Sequence, residues 1–141
     1  MVVQFGERML ASSCAQLAAW ATNPLMIDLT IAVNVISHQF RHRDFGADVL
    51  EALQHPGTNP ALLKLKLTVS LLAEDSDAVN AKMRELKVLG IGFSLDDFGT
   101  RCSSLSYLHR MPLDQLKIDQ SFVCGVLSSP NDAAIASTIV L

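Results

Sequence analysis

Four short aliphatic runs, each parted from the next by an amphipathic segment, constrain this chain more than any other feature. The runs occupy residues 29–33, 62–67, 91–95 and 114–118. Strand, crossover helix, strand at intervals of about 20–30 residues is the pattern of βαβ units that build a parallel sheet. Helices are predicted in the gaps. One carries Leu10, Cys14 and Leu17 on a single face and stops before Pro24. A second places Phe45, Val49 and Leu53 at i, i+4 and i+8 and ends at His55-Pro56-Gly57. A third begins at Asp75 or Ser76, buries Val79, Met83 and Leu86, and terminates with Gly90 at the C′ position. Shorter helices are expected over 103–110 and 131–141.

Composition narrows the function classes. Half of the 141 residues are apolar and 18% are charged, which is too apolar for disorder. A chain of this length buries roughly two-thirds of its unfolded surface. A bilayer span needs about 18 nearly uncharged residues, and the most apolar stretch, 25–36, is interrupted by Asp28. No membrane helix is expected. The opening residues MVVQFGERML lack a basic segment followed by an apolar one, so no secretory signal is expected either. The net charge of −3 is spread along the chain, whereas nucleic-acid binders cluster a basic excess on one face. Arg41-His42-Arg43 is small and reads as a solvated turn before a helix. Cys14, Cys102 and Cys124 are odd in number and far apart. They fit a reducing, cytoplasmic setting and, with no clustered histidines, no zinc site.

In parallel α/β sheets chemistry gathers at the carboxyl ends of the strands. The first run ends in Asn34, the second runs into Thr68, the third into Asp96-Asp97, and the fourth into Asp119 beside Lys117. Adjacent acids after a strand suit a bridged divalent-metal site that activates water and steadies a leaving phosphate oxygen. They equally fit a solvated turn with an Asp cap. A lysine on the inward face of a barrel strand can pair with carboxylates and a substrate phosphate, though Lys-x-Asp also ends many ordinary strands. Asn34 can ligate through its amide oxygen or satisfy loop backbone. His42-Arg43-Asp44 and Asp97-Phe98-Gly99 spell two protein-kinase signatures. The kinase loop wants Asn where Val49 stands, and no glycine-rich phosphate loop precedes it.

Taken together, the residues resemble a family. Ser94-Leu-Asp-Asp-Phe-Gly-Thr100, Ser103-Ser-Leu-Ser-Tyr-Leu108, Met111-Pro-Leu-Asp-Gln-Leu-Lys-Ile-Asp119 and Ser121-Phe-Val123 closely resemble the EAL domain, the bacterial phosphodiesterase module for cyclic di-GMP. Ala32-Val-Asn-Val35 with Gln39-Phe40 looks like its Asn-containing strand, and Leu65-Lys-Leu-Thr-Val-Ser70 like its Glu-x-Thr-Glu-Ser strand. The resemblance covers essentially the whole chain. It implies an α/β fold, a partial (β/α)8 TIM-type barrel with about four parallel strands and crossover helices. It also implies bacterial cyclic di-GMP signalling, with Asn34, Asp96 and Asp97 at metal positions and Lys117 and Asp119 at catalytic ones. Phe98, Gly99, Thr100 and Arg101 fall in the substrate loop.

The departures change what that resemblance implies. The first Glu of Glu-x-Thr-Glu-Ser is a metal ligand in the family, and Lys66 stands in its place; Val69 replaces the second. Arg101 and Cys102 replace a Gly-Tyr pair in the loop that responds to substrate and shapes the family's dimer interface. Ile36 replaces a Ser. No Glu-Ala-Leu strand is expected within 1–141, nor the family's late Ala-Glu-Gly-Val-Glu strand. Exchanging a ligating carboxylate for an ammonium changes the local charge by two units, and unit charges at 4 Å interact by ~4 kcal/mol at an effective dielectric of 20. The metal site therefore reads as vestigial, with Mg²⁺ or Mn²⁺ the ions concerned and none expected to be held. Lys66 is expected to pair with Asp96 or Asp97, or to point to solvent. The expected function is a catalytically inactive EAL-like protein with a regulatory or interaction role. The alternatives are a non-hydrolysing cyclic di-GMP binder and a phosphodiesterase completed by another chain. A barrel of this kind takes about 250 residues, so an open, apolar inner face is expected, covered by self-association or a partner chain.

Overall fold

The computed structural model describes residues 2–68, 71, 76–98, 112–118, 124, 127, 128 and 130, with the backbone alone at 2, 3, 76, 97, 98 and 118. The elements are α1 (Val2–Trp20), β1 (Ile31–Asn34), α2 (Ser37–Arg41), α3 (Phe45–Leu53), a 3₁₀ turn (Pro60–Leu62), β2 (Leu63–Thr68), α4 (Ser76–Val88), β3 (Gly92–Phe98) and β4 (Gln115–Ile118). The four expected strands form within three residues of their runs, β3 running on to Phe98. So do the three longer helices. The helices expected over 103–110 and 131–141 lie outside the described residues.

Local chemistry sets the boundaries. In α1 the fully buried Leu10, Cys14 and Leu17 recur at helical spacing. Past its end, Asn23 Oδ1 accepts the Leu25 amide at 2.9 Å, an Asx turn that redirects the chain. Asn59 accepts from the Ala61 amide and Pro60 fixes the first position of the 3₁₀ turn. α4 buries Val79, Met83 and Leu86, and Gly90 follows it with a φ of 99°, a left-handed conformation that glycine adopts without a Cβ penalty.

The sheet is parallel throughout, in the order β1-β2-β3-β4. A doubly wound sheet would reverse direction at a switch point and carry helices on both faces. Here each strand lies beside its predecessor and one face takes the helices, as in a (β/α) barrel. Val33, Val35, Leu63, Leu65, Leu67, Phe93 and Leu95 form that covered face and join the helical residues in one core. α1 packs against β1, β2, α2 and α3, while α4 packs on β3. Fully burying each large aliphatic or aromatic side chain contributes about 1.5–3 kcal/mol.

The opposite face differs from expectation. It carries Ala32, Asn34, Lys64, Lys66, Thr68, Gly92, Ser94, Asp96, Gln115 and Lys117. Among the described residues the inner face is therefore polar, not apolar. The reason is strict alternation: Leu-Lys-Leu-Lys-Leu-Thr in β2 is buried and half-buried by turns, sending each leucine to the helices and each lysine inward. His42 and Arg43 form the expected turn before α3, while the exposed Arg41 is the last residue of α2 and its Nη2 donates to the Leu71 carbonyl at 3.1 Å.

Candidate functional site

Each strand delivers one side chain to a single row across the inner face. The register pairs Asn34 with Lys66, Lys66 with Ser94, and Ser94 with Gln115. Neighbouring parallel strands lie about 4.8 Å apart, so these groups form a continuous polar band. One step further toward the strand ends, Thr68 pairs with Asp96.

The Lys66 ammonium reaches diagonally to the acid, with Nζ 3.9 Å from Asp96 Oδ2. The two side chains are 20% and 34% exposed, so the pair is largely but not fully shielded from bulk water. At that distance it is a loose ion pair.

Beyond Leu95 the β3–β4 ladder is irregular. Leu95 pairs with Leu116 and Phe98 with Ile118. Asp96 and Asp97 are thus set opposite the single residue Lys117, the two-against-one arrangement of a β-bulge. Strict alternation would turn the two acids to opposite faces; an extra residue in the strand relaxes that constraint. Lys117 is exposed on the inner side, because its neighbour Leu116 packs against the core.

The residues singled out in the sequence are therefore placed as follows. Asn34 lies at the exposed end of β1, in register with Lys66. Lys66 and Asp96 are brought together. Asp97 and Phe98 are placed by their backbone register alone. Gly99, Thr100, Arg101 and Asp119 lie outside the described residues.

Ser94 was not singled out, although it contributes to the row. It is 1% exposed and its hydroxyl has no hydrogen-bond partner. A buried polar atom left unsatisfied costs about 1–3 kcal/mol, which makes Ser94 the least comfortable group on this face. The available signal was its position two residues before Asp96, hence on the same face.

The donors described on this face do not by themselves fit a divalent metal. Mg²⁺ and Mn²⁺ want several oxygen donors, with carboxylates among them. The described row offers an amide, an ammonium, a hydroxyl and another amide, and the Asp96 carboxylate is already engaged by Lys66. No group of three or more His, Cys, Asp or Glu that could hold a metal occurs among the described residues.

A second polar knot lies at the other end of the strands. Asp114 accepts a hydrogen bond from the Phe93 amide at 2.8 Å and from the Lys87 ammonium. Burial pushes its carboxyl up. The hydrogen bonds from Lys87 and Phe93, with the charges of Lys87 and Lys64, outweigh that and hold it below the usual carboxylate value. This cluster anchors the start of β4.

Residues 1–141 match the family model described as the EAL domain. The chain is 39% identical over 140 residues to the bifunctional diguanylate cyclase/cyclic di-GMP phosphodiesterase MucR of Pseudomonas aeruginosa, covering 99% of this chain and 20% of that protein. Its structure is similar to the PaMucR phosphodiesterase in complex with cyclic di-GMP, with a TM-score of 0.84 and 40% identity, over 99% of this chain and 56% of that one. It is similar also to Klebsiella pneumoniae BlrP1 with manganese and cyclic di-GMP, with a TM-score of 0.67 and 25% identity, over 95% and 34% of the two chains. The chain thus spans a small part of its curated relative and just over half of the PaMucR chain. The likeness identifies the four-stranded sheet as part of a (β/α)8 TIM-type barrel.

Proposed function

The chain belongs to the EAL domain family, and from that footing we propose that it serves cyclic di-GMP signalling as a member that does not hydrolyse the dinucleotide, in a regulatory or interaction role. One observation carries the reading: the ammonium of Lys66 stands beside Asp96 at the inner-face position where the family's pattern has a metal-holding glutamate. A fixed cation there repels a second one. It also engages the acid that a metal would need. The relatives whose names include cyclic di-GMP phosphodiesterase activity supply the signalling context, and the donor set on this face argues against the hydrolytic step.

The test is an assay for the linear dinucleotide product. The chain is incubated with cyclic di-GMP and millimolar Mg²⁺ or Mn²⁺, and the products are separated by chromatography. No metal-dependent product is expected. Turnover that rises with Mn²⁺ and stops with a chelator overturns the reading and favours a phosphodiesterase.

A further inference from the structure

We infer that the groove between α1 and α3, on the helical side of the sheet, is the docking site for a lysine- or arginine-bearing helix of a partner protein. Glu7 and Ala11 line its α1 wall and Asp48, Glu51 and Ala52 its α3 wall, around a volume of about 570 Å³. The core separates this groove from the polar inner face, so the inference goes beyond the proposed function and does not depend on hydrolysis.

The two walls are set by the core beneath them. Leu10 and Cys14 of α1 and Phe45 and Val49 of α3 are buried in one cluster. Thr58 Oγ1 donates to the Cys14 carbonyl at 3.2 Å, which ties the chain beyond α3 back to α1. Ala11 and Ala52 are small, and the groove is the room that larger residues there would fill. A groove formed in advance costs an incoming helix little reorganisation.

Its charge is chiefly of one sign and is not answered within the chain. Among the described residues, no ion pair or hydrogen bond engages the side chains of Glu7, Asp48 or Glu51. Arg8 lines the same groove without pairing with any of the three. α3 itself (FGADVLEAL) has no basic residue, and Asp48 and Glu51 stand three apart, a like-charge spacing that disfavours a helix. The acids do not converge on one point either: no group of three or more His, Cys, Asp or Glu that could hold a metal occurs among the described residues. Carboxylates spread along two facing helices suit cations that are spread likewise. A third helix with Lys or Arg at i and i+3 or i+4 carries its charges at that spacing. Its aliphatic stems can lie over Ala11 and Ala52 while the charged heads reach the acids. Seating an amphipathic helix in a groove is a recurrent mode of protein recognition.

Fluorescence anisotropy on the full chain tests this with a labelled helical peptide of about 15 residues, its lysines in one stripe and alanine and leucine elsewhere. A peptide of the same composition with scattered lysines is the comparison probe. The striped peptide is expected to bind about threefold more tightly or better. Asp48→Asn and Glu51→Gln should each weaken it about three- to fivefold, the worth of one exposed ion pair. Ala11→Trp fills the groove without changing the charge and should weaken binding about tenfold or more. Ala11 is exposed, so this variant leaves the core intact, and circular dichroism checks each fold. Asp77→Asn and Glu85→Gln remove the same charge from exposed positions on α4 and should change binding by less than about twofold.

Equal weakening by the α4 variants, undiminished binding to Ala11→Trp, or equal affinity for the two peptides overturns the inference. Displacement of the peptide by equimolar spermine also overturns it, assigning the groove to a free polyamine. A dimer in light scattering that Ala11→Trp abolishes overturns it in favour of a second copy of this chain. The dinucleotide product assay reads the other face. Linear product with peptide binding intact defeats the non-hydrolysing reading alone, and absence of both product and peptide binding defeats the groove alone.

Discussion

Lys66 Nζ lies 3.9 Å from Asp96 Oδ2, a contact made diagonally between β2 and β3 rather than between register partners. Exposed pairs are worth at most about 1 kcal/mol, and this one, partly buried but loose, stays near that range. Lys66→Ala should therefore lower stability by about 0.5–1 kcal/mol in chemical denaturation, with the difference shrinking at high salt. An unmoved midpoint would show that the pair contributes nothing.

Lys82 fastens α4 to the end of α2. Its ammonium donates to the Phe40 carbonyl at 2.7 Å and the His42 carbonyl at 3.0 Å, and sits 5.6 Å from the centroid of the Phe40 ring. The last carbonyls of a helix have no intrahelical donors, so a partner from another element satisfies them. Lys82→Ala should cost about 1–3 kcal/mol, typical of a charged hydrogen-bond donor removed from part-buried acceptors. Lys82→Arg should recover part of the loss. A fully stable alanine variant would contradict this role.

Two glycines make a paired comparison. A Cβ on Gly6 would fall 1.9 Å from Gln39 Nε2, while one on Gly46 would meet nothing within 4 Å. Gln39 is itself buried, so its amide has little room to retreat. Gly6→Ala should destabilise by about 1–3 kcal/mol, the usual cost of overpacking. Gly46→Ala, in α3, should be neutral or stabilising by up to about 1 kcal/mol. Thermal melts of the two variants should move in opposite directions, or at least differ in that order.

Asp114 sets an acid limit. Its carboxyl is held below the ordinary value in the folded chain, so folding favours its charged form. That contribution is complete above the unfolded value of about 3.9 and is lost as pH falls through the lower folded value. Denaturation midpoints should decline below about pH 4, and Asp114→Asn should flatten this decline while lowering stability at neutral pH. Equal acid profiles for the two proteins would remove Asp114 from the account.

The parts of this architecture that local pattern controls were legible in advance. Leu63-Lys-Leu-Lys-Leu-Thr alternates so cleanly that one covered face and one polar face follow. Val79, Met83 and Leu86, closed by Gly90, delimit α4 equally well. The polar character of the inner face was in that same alternation, but the barrel analogy favoured an apolar interior. α2 escaped because a five-residue helix has too few turns to show a period. The two-to-one register opposite Lys117 and the row through Ser94 escaped for another reason. Register joins strands far apart in sequence and leaves no local trace. Charge exchange at a family position left Lys66 to pair with Asp96 or Asp97 or to face solvent, and only the strand geometry selects Asp96.

The sequential strand order bears on how the molecule assembles. Ile31 pairs with Leu63, Lys64 with Gly92, and Ser94 with Gln115, separations of 32, 28 and 21 residues, short for a parallel sheet. No described strand waits for a distant partner. A chain emerging from the ribosome can dock each new βα unit on the one just finished, and the growing edge is always the newest strand. The helix-covered face is then sealed unit by unit, while the polar row across the inner face becomes whole only when β4 arrives and brings Gln115. Most of the hydrophobic core is thereby buried before that row is complete.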